Sequence, residues 1–419
     1  MTRGPHVAAI AVMATMACPG AWLVFAQAPQ PPAPPLLFAN ASVVDVATGE
    51  VRRAQVVVVR EGRIESVGAT EPPAAMAPRR IDLAGRYLLP GLIDAHVHIA
   101  NAVAMRAALE SGVTTVRSAG VSHFEDVGLR ELVKRGALPG PDVLAAGYHV
   151  RPQPAAEAYL DAPDLGDLLA PGLTTPEALR RFVRMNLGHT VDWIKVLATE
   201  RAGTPDTDPR KQVYSEAELA VVVAEANARG VGVLAHAHGA EGALAAVKAG
   251  VRSIEHGTYL TDETLKLMAQ RGTFFDPTAD VVNDLAQPGG DYDHAGLQRR
   301  GQMLKPVLVD TIRRARAAGV KVVAGSDTGY GPASIARISR EILELIEAGF
   351  TPLAALQAAT TVNAELLRLE KQIGQVRAGF EADLVVVDRN PVEQPRTLLD
   401  PLMVMSNGRV ALDRLTFSK

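Results

Sequence analysis

Short apolar runs rich in β-branched residues alternate along the chain with longer stretches whose apolar positions lie three or four residues apart. The first pattern predicts strands and the second predicts helices. From residue 88 to about residue 350 the two patterns alternate, which is typical of parallel strands joined by crossover helices. Strands are predicted at 88–93, 113–117, 142–146, 192–198, 231–236, 251–256, 273–277 and 320–326. We therefore predict an α/β fold, a (β/α)8 TIM barrel, over residues 88–373.

Capping signals delimit the predicted helices. The clearest helix begins at Ser215, which forms a capping box with Glu218, and Gly230 ends it. Its apolar stripe consists of Leu219, Val222, Val223 and Ala226. A glycine also precedes four predicted strands, as expected of helix C-terminal caps, at Gly112, Gly250, Gly272 and Gly319.

Both ends of the mature chain have strand patterns without helices. Near the N-terminal end, residues 36–45 and 55–68 form apolar runs joined at turn signals. After residue 374, strands are predicted at 382–387, 403–405 and 410–412. We expect residues 36–87 and 374–419 to join as one small β-sandwich beside the barrel.

Residues 1–26 have the features of a secretory signal peptide. Arg3 gives a short basic region, residues 7–17 are apolar, and Val24, Phe25 and Ala26 offer a cleavage point before Gln27. Residues 27–35 are nearly all Pro, Ala and Gln and predict an extended linker. We expect a secreted or periplasmic protein with no stable membrane span after the signal peptide is removed.

Two alternatives for this segment remain open. An uncleaved membrane anchor is disfavoured by Pro19 and Gly20 in the middle of the apolar run. Lipidation of Cys18 is disfavoured because Thr15, Met16 and Ala17 are a poor approach sequence and apolar residues continue beyond the cysteine.

Composition narrows the possible functions. Hydrophobic residues make up 47% of the 419 residues, so a large core can form. The formal net charge is −3 and there is no basic run, which argues against nucleic acid as a partner. Cys18 is the only cysteine, so neither a disulfide framework nor a thiolate metal site is possible. Metal ligands must then be histidines or carboxylates, or a rarer group.

Side chains able to hold a metal stand at the ends of several predicted strands. These are His96, His98, His236, His256 and Asp327. Residues two apart in a strand point the same way, so His96 and His98 share one face. Strand C-terminal ends are where barrel enzymes place their active sites. One such histidine would usually be structural, but four at strand ends together with an aspartate favour a metal site.

Lys195 also stands in a predicted strand, and its role is less clear from the residue alone. A lysine ammonium cannot bind a cation, whereas a desolvated neutral amine can react with CO2 to give an anionic carbamate. The alternative is a lysine whose charge reaches solvent or pairs with a carboxylate. Physical reasoning from the residue alone favours that alternative.

The motifs of this chain resemble those of the metal-dependent amidohydrolase superfamily. They are similar in particular to its imidazolonepropionase-like and Xaa-Pro-dipeptidase-like branch, which includes ochratoxin-type amidases. The resemblance extends over roughly residues 36–412. The segments that carry it are 90–98, 112–117, 193–196, 236–239, 254–257 and 325–327, with tail elements at Gly374, 382–386, Asn390, Pro391, Asn407 and Gly408.

The resemblance implies a site for two divalent metal ions, usually zinc. His96, His98 and Asp327 would hold the deeper ion, His236 and His256 would hold the outer one, and carboxylated Lys195 would bridge both. The sequence departs from the family at Arg117 and Ser118, where many relatives have Val-Arg-Asp, and in a short loop after His98. Substrate scope is therefore the feature that transfers least.

Further polar residues are candidates for catalysis or substrate binding. His149 follows the third predicted strand, and it is a candidate for polarising the scissile carbonyl or binding a substrate carboxylate. His238 shares the face of His236 and either binds substrate or orients its neighbours. Arg151 and Tyr259 are further substrate-binding candidates. Arg201 and Lys211, in the loop after the fourth strand, are expected to be solvated, and Asp94 is expected to make a structural hydrogen bond.

These observations predict an exported hydrolase that cleaves an amide or peptide bond of a dipeptide, an N-acyl amino acid or an ochratoxin-like substrate with metal-activated hydroxide. Asp327 would accept the water proton and return it to the leaving amine, and His149 or His238 would steady the oxyanion. A cyclic-amide or lactone hydrolase is the alternative, and a catalytically inactive barrel that acts as a binding protein is an alternative of another class. We expect a homo-oligomer, although the sequence does not reveal the number of subunits.

Overall fold

The computed structural model describes residues 35–73 and 79–415. The signal peptide predicted over residues 1–26 and the linker predicted over 27–35, except for its last residue, lie outside the described residues. Below we describe strands β1–β15 and helices α1–α12, numbered in chain order.

Strands from both ends of the chain form one mixed sheet. Its order is β15-β14-β13-β5-β1-β2-β3, and β4 pairs with β1. The two ends meet where β13 runs antiparallel to β5, with Val385 opposite Leu89. The strands are β1 (Leu36–Val44), β2 (Val51–Arg60), β3 (Arg63–Gly68), β4 (Arg79–Asp82), β5 (Tyr87–Pro90), β13 (Leu384–Val387), β14 (Met403–Ser406) and β15 (Arg409–Asp413).

Alternation along these strands divides their side chains between two cores. Leu384 and Val386 pack with Phe38 in one apolar cluster of the mixed sheet. Val385 and Val387, which point the other way, belong to the larger core of the parallel sheets. The mixed sheet is therefore anchored to the rest of the fold by every second residue of β13.

The middle of the chain forms two parallel sheets. One has the order β6-β7-β8 and the other has the order β12-β11-β10-β9. The strands are β6 (Leu92–Val97), β7 (Val113–Ser118), β8 (Asp142–Leu144), β9 (Trp193–Leu197), β10 (Gly232–Ala237), β11 (Ser253–His256) and β12 (Phe274–Asp276). An isolated parallel bridge joins Val150, in the segment that follows β8, to Val196 of β9.

The run predicted as one strand over residues 88–93 is two strands in the structure. Tyr87–Pro90 belongs to the mixed sheet, and Leu92–Val97 begins the parallel sheets. The chain changes sheets at Gly91, whose backbone passes so close to Thr114 that a Cβ would lie 2.0 Å from its Oγ1. Only glycine fits at this point, where the chain passes from the mixed sheet to the parallel sheets.

The segment predicted as the eighth strand, residues 320–326, makes isolated bridges instead of a continuous strand. Val322 bridges Phe275 of β12, and Thr328 bridges Val97 of β6. Backbone bonds support both contacts, since Val323 donates to Phe275 O and His98 donates to Thr328 O, each at 2.9 Å. Gly325 lies too close to Asp276 and His96 for a side chain, and Asp327 has a φ of 50°, so the backbone departs here from regular strand geometry.

Helices follow the strands of the parallel sheets. The capping box of Ser215 and Glu218 is present at the start of α5, and the four predicted stripe residues are all buried. Gly250 and Gly272 cap α6 and α7 in the left-handed conformation, as predicted. The helices are α1 (Ala102–Glu110), α2 (Glu125–Lys134), α3 (Glu157–Asp161), α4 (Pro176–Gly188), α5 (Glu216–Asn227), α6 (Ala240–Ala249), α7 (Asp262–Arg271), α8 (Ala279–Leu285), α9 (Ala295–Ala317), α10 (Ile338–Glu347), α11 (Pro352–Ala358) and α12 (Thr361–Leu366).

Short 3₁₀ helices lie at Pro163–Leu168, Gly290–Tyr292 and Pro395–Leu399. Across residues 35–73 and 79–415, none of the helices combines the length and the apolar character needed to span a bilayer.

Candidate active site

The ends of the parallel strands surround one open cleft of about 520 Å³. Strands β6, β9, β10 and β11 each contribute a side chain to it, and the segment after residue 320 contributes Asp327. All six residues predicted as metal ligands line this cleft: His96, His98, Lys195, His236, His256 and Asp327. The structure thus brings together residues that are separated by up to 231 positions (327 − 96) in the sequence.

The first donor group consists of His96, His98 and Asp327. Oδ1 of Asp327 lies 3.1 Å from Nε2 of His98 and 3.5 Å from Nε2 of His96. Nζ of Lys195 lies 3.3 Å from Nε2 of His96. Ligand atoms of the two histidines and the aspartate all lie within 4.8 Å of one another, which is close enough for one cation to bind all three.

The second donor group consists of His236, His238 and His256, whose ligand atoms also lie within 4.8 Å of one another. The rings of His236 and His256 are 4.5 Å apart, and those of His238 and His256 stack at 4.8 Å. His256 also approaches the first group, since its ring lies 5.1 Å from that of His96. The two donor groups are therefore adjacent.

In each of four histidines, a hydrogen bond from one ring nitrogen leaves the other nitrogen free to bind a metal. Nδ1 of His98 lies 2.7 Å from the carbonyl oxygen of Gly120, and Nε2 of His236 lies 3.2 Å from that of Glu200. A carbonyl only accepts, so these two nitrogens donate. Their lone pairs are then on Nε2 of His98 and on Nδ1 of His236.

The same argument applies to two more histidines. Nδ1 of His96 donates to the Glu255 carboxylate at 2.7 Å. Nδ1 of His256 donates at 2.7 Å to the Thr278 hydroxyl, which itself donates to the carbonyl of Pro277. For His238 the partner is the Thr258 hydroxyl, which both donates and accepts, so its tautomer is not determined. Outer hydrogen bonds that present a free nitrogen are typical of metal-binding histidines.

Burial keeps these rings neutral. It lowers the pKa of His96 to about 4, with Lys195 adding to the effect, and it lowers the pKa of His238 to about 3. It also lowers the pKa of His236 and His256 well below the usual value. A neutral imidazole is the form that binds a cation.

Lys195 and Asp327, the charged side chains beside the donor groups, have pKa values shifted in ways that suit a metal site. Burial lowers the pKa of Lys195 to about 8, against the pull of Glu255 and Asp327. Burial raises the pKa of Asp327, but His96 and His98 outweigh it and hold that pKa below its usual range. Asp327 is therefore an anion at neutral pH, and an appreciable part of Lys195 is a neutral amine.

A buried ionic network behind the first donor group was not predicted from the sequence. Arg117 donates to Oε2 of Glu255 at 2.8 Å and to the carbonyl of Ala95 at 2.6 Å. Its guanidinium also lies 3.6 Å from Asp276. All three ionic side chains are fully buried. Burial alone would raise the pKa of Glu255, but Arg117 and His96 outweigh it and hold that pKa below its usual range, so Glu255 is an anion that can orient His96.

The backbone conformation at the end of β11 explains why the sequence did not predict this network. Neighbours in a regular strand point to opposite sides, so Glu255 and His256 would not both be expected to face the site. His256, however, has a φ of 71°, in the left-handed region. The departure from regular strand geometry at the end of β11 allows both side chains to reach the site, and such strain is typical of functional positions.

Asp94 makes structural hydrogen bonds, as the sequence predicted. Its Oδ1 accepts from the backbone N of Ser326 at 2.9 Å, and its Oδ2 accepts from the Tyr330 hydroxyl at 2.9 Å. Burial raises the pKa of Asp94 to about 6. These bonds fasten β6 to the backbone on either side of Asp327.

His149 lines the cleft beside the first donor group, with its ring 5.7 Å from that of His98. Its Nε2 is buried and has no hydrogen-bond partner among the described residues. Burial lowers the pKa of His149 well below the usual value, so the ring is neutral. An unpaired polar atom in this position is suited to bind a substrate group.

Three of the other polar candidates do not lie where the sequence predicted them. Arg151 and Tyr259 are partly buried but are not among the residues that line the cleft. Arg201, which was expected to be solvated, lines it. Lys211 is exposed and pairs with Glu200 at 2.6 Å, which agrees with the expectation of a solvated lysine.

Comparison with known proteins identifies the class to which this fold and site belong. The model of the Amidohydrolase family matches residues 87–411. The chain belongs to this family. It is an enzyme, a metal-dependent hydrolase that acts on carbon–nitrogen bonds of amides.

Individual relatives share most of the chain. Ochratoxinase of Aspergillus niger is 28% identical over 360 residues, which are 76% of this chain and 73% of the relative. Imidazolonepropionase of Vibrio vulnificus is 27% identical over 404 residues, covering 84% of this chain and 91% of the relative. A crystal structure of a Xaa-Pro dipeptidase with methionine bound in its active site is 27% identical, has a TM-score of 0.80, and covers 90% of this chain and 99% of that one.

Proposed function

We propose that this chain is an exported binuclear amidohydrolase that cleaves the amide or peptide bond of a dipeptide, an N-acyl amino acid or an ochratoxin-like substrate. The observation that carries the proposal is the meeting of two donor groups in one cleft, with Lys195 and Asp327 beside them. The similarity to ochratoxinase and to a Xaa-Pro dipeptidase supports an amide substrate over other substrates of the family.

The donor set fits two divalent ions. Free nitrogens of neutral histidines and an ionised aspartate are ligands that suit zinc. We assign His96, His98 and Asp327 to one ion and His236 and His256 to the other. Two bound ions would activate a water molecule and polarise the substrate carbonyl.

Lys195 supplies the remaining anion if it carries a carbamate. Its burial favours the neutral amine, which attacks CO2 through the lone pair of Nζ and releases a proton as the N–C bond forms. The product has two carboxylate-like oxygens that are suited to bridge two cations. A protonated lysine at this position would instead repel both ions.

Protein side chains would move the protons and steady the charge. Asp327 accepts the proton of the attacking water at its carboxylate and returns it to the nitrogen of the leaving amine. This return is needed because an amide anion is a poor leaving group. The unpaired Nε2 of His149, in the neutral tautomer that carries its proton on this nitrogen, donates to the developing oxyanion, and His238 is the second candidate for that role.

The two parallel sheets would form one (β/α)8 barrel. The bridges of Val322, Thr328 and Val150 lie at the edges where such a barrel closes, which supports this arrangement. The mixed sheet would curl into a sandwich around the apolar cluster shared by Phe38 and Leu384. We further propose that the enzyme assembles as a homo-oligomer.

Export is testable on native material. The apolar run and the small residues before Gln27 support a mature N-terminus near that residue. N-terminal sequencing of the native protein should find it there. Met1 at the start of soluble cytoplasmic protein would contradict export.

The activity itself is tested by incubating the zinc-loaded enzyme with a dipeptide, N-benzoyl-L-phenylalanine, an ochratoxin-type amide, a cyclic amide and a lactone. We expect amine release from one or more of the three acyclic amides. Asp327→Asn keeps the shape of the side chain but removes the proton acceptor, so it should abolish turnover. Turnover of only the lactone or the cyclic amide would overturn the proposed substrate class.

A further inference from the structure

A cation without a counter-ion faces the cleft from the loop that follows β9. Arg201 is half-buried and lines the cleft with the candidate ligands. Among the described residues its guanidinium makes no ion pair or side-chain hydrogen bond, although most arginines of this chain bind a carboxylate or a carbonyl. Of the described residues that line the cleft, Asp327 is the one carboxylate, and it is engaged with His98 at 3.1 Å.

Hydrogen bonds from helix α9 hold the loop that carries Arg201. Arg300 of α9 donates to the carbonyls of Ala202 at 2.7 Å and Thr204 at 2.8 Å, and to that of Thr207 at 2.7 Å. Within the loop, the Thr207 hydroxyl donates to the carbonyl of Arg201 at 2.6 Å. The backbone of Arg201 is therefore held in place while its side chain remains available for a ligand.

The short 3₁₀ helix Gly290–Tyr292 contacts this loop. Tyr292 lines the cleft and packs on Gly203, where a Cβ would lie only 2.5 Å from the Tyr292 ring. Helix α8 adds an apolar wall of Val281, Val282 and Leu285, all buried and lining the cleft. An anion bound at Arg201 would therefore lie in the same cleft as a surface that suits an apolar group.

We propose that Arg201 binds the carboxylate of the substrate, and that the substrate is an N-acyl amino acid or a dipeptide with a free carboxylate and an apolar side chain. This inference rests on the proposed function and specifies its substrate class. A guanidinium presents paired donors that match the two oxygens of a carboxylate. In a partly desolvated cleft such a pair contributes more than it would in water.

Arg201 is better placed for this role than the two residues that the sequence suggested. Arg151 is not among the cleft-lining residues. His149 lines the cleft but is neutral, so it offers a hydrogen bond without a charge. Arg201 lines the same cleft as His149 and His238, so its charge faces the site.

The test compares N-benzoyl-L-phenylalanine with N-benzoyl-L-phenylalaninamide, which differ only in the terminal group, by following benzoate release and by calorimetric binding. The wild type should prefer the acid. Arg201→Gln should lower kcat/KM and affinity for the acid by about tenfold to a hundredfold, the range for a hydrogen bond to a charged group, and should leave the carboxamide nearly unchanged. Arg201→Lys should retain part of the preference.

Two variants serve as controls. Arg210→Gln removes the same charge from an exposed position in the same loop, and Arg151→Gln removes the alternative arginine. Both should retain the preference of the wild type for the acid. A preference that survives in Arg201→Gln and disappears in Arg151→Gln would overturn the assignment but leave the proposed function intact.

The remaining outcomes separate the two proposals. Equal losses on acid and carboxamide in Arg201→Gln would overturn carboxylate recognition by Arg201 while amide hydrolysis stands. If the wild type hydrolyses neither compound but binds the acid through Arg201, the binding assignment stands and the proposed activity on this amide fails. If it neither hydrolyses nor binds the acid, carboxylate recognition by Arg201 is overturned, and the proposed activity is then decided by the dipeptide and the ochratoxin-type amide.

Discussion

The α-carbon of Gly120 lies so close to the ring of His149 that a Cβ on Gly120 would be 2.2 Å from Cδ2 of His149. The carbonyl oxygen of the same glycine accepts the hydrogen bond from Nδ1 of His98 at 2.7 Å. Gly120 thus orients one candidate ligand and makes room for one candidate catalytic residue. Its φ of 104° permits both, and that value is unfavourable for any other residue.

Gly120→Ala should therefore damage the site. The new methyl group must displace His149, and the backbone strain adds to the loss, so we expect destabilisation of about 2–4 kcal/mol and a large fall in kcat. Thermal unfolding and steady-state kinetics measure the two effects. The matched control is Gly128→Ala at an exposed position of helix α2, where a Cβ meets nothing within 4 Å. This control should be neutral or stabilising by up to about 1 kcal/mol, and equal effects of both changes would contradict the role of Gly120.

Sequence patterns located the strand-end residues because each lies in a local motif that can be recognised without its partners. His96 and His98 follow an apolar run, and Asp327 ends another. The structure brings them into one cleft because parallel strands present their carboxyl ends at the same side. The strands at both chain ends, which form the mixed sheet, were predictable for the same local reason.

What was missed depends on contacts between residues that are far apart in the sequence. Arg117 and Glu255 are separated by 138 residues, and no local pattern indicates that they pair. Arg201 was expected to be solvated because it lies in a long polar loop. The loop is held over the cleft by Arg300, which is about a hundred residues further along the chain. Such contacts are determined by tertiary packing and leave no periodic signal.

Metal content provides a direct prediction for the donor groups. The purified wild type should contain about two divalent ions per chain, and His98→Ala and His236→Ala should each lower that content by about one. Elemental analysis after zinc resupply measures it. His189→Ala is the control, because His189 stacks on Phe124 outside the cleft and should not change the content. A wild-type content that stays below about one ion after resupply would exclude the binuclear arrangement.

Lys195→Ala should lose activity and most of the ion assigned to His236 and His256, because the bridging anion is gone. Short carboxylates such as acetate or propionate should partly restore both, since they replace the missing oxygens. Lys195→Arg, which keeps a cation but cannot form a carbamate, should not be restored. Reactivation of the metal-free wild type by zinc should require bicarbonate, and full reactivation in CO2-free buffer would argue against the carbamate.

The buried carboxyl of Asp280 should make stability depend on pH. Burial raises its pKa to about 7, against the bond that its Oδ2 accepts from the backbone N of Arg337 at 2.9 Å. A carboxyl whose pKa is higher in the folded state binds its proton more tightly there than in the unfolded chain. Its favourable contribution is complete below the unfolded pKa of about 4 and is lost as the pH rises through about 7.

Asp280→Asn cannot ionise but can still accept the bond from Arg337. Its stability relative to the wild type should therefore increase between about pH 5 and pH 8, by on the order of 2 kcal/mol, because only the wild type must then take up a proton or bury a charge when it folds. Denaturant unfolding at several pH values measures this difference. Asp206→Asn, at an exposed position, should show no such trend. If the Asp280→Asn difference stays constant over this range, Asp280 does not titrate in the folded protein as its burial indicates.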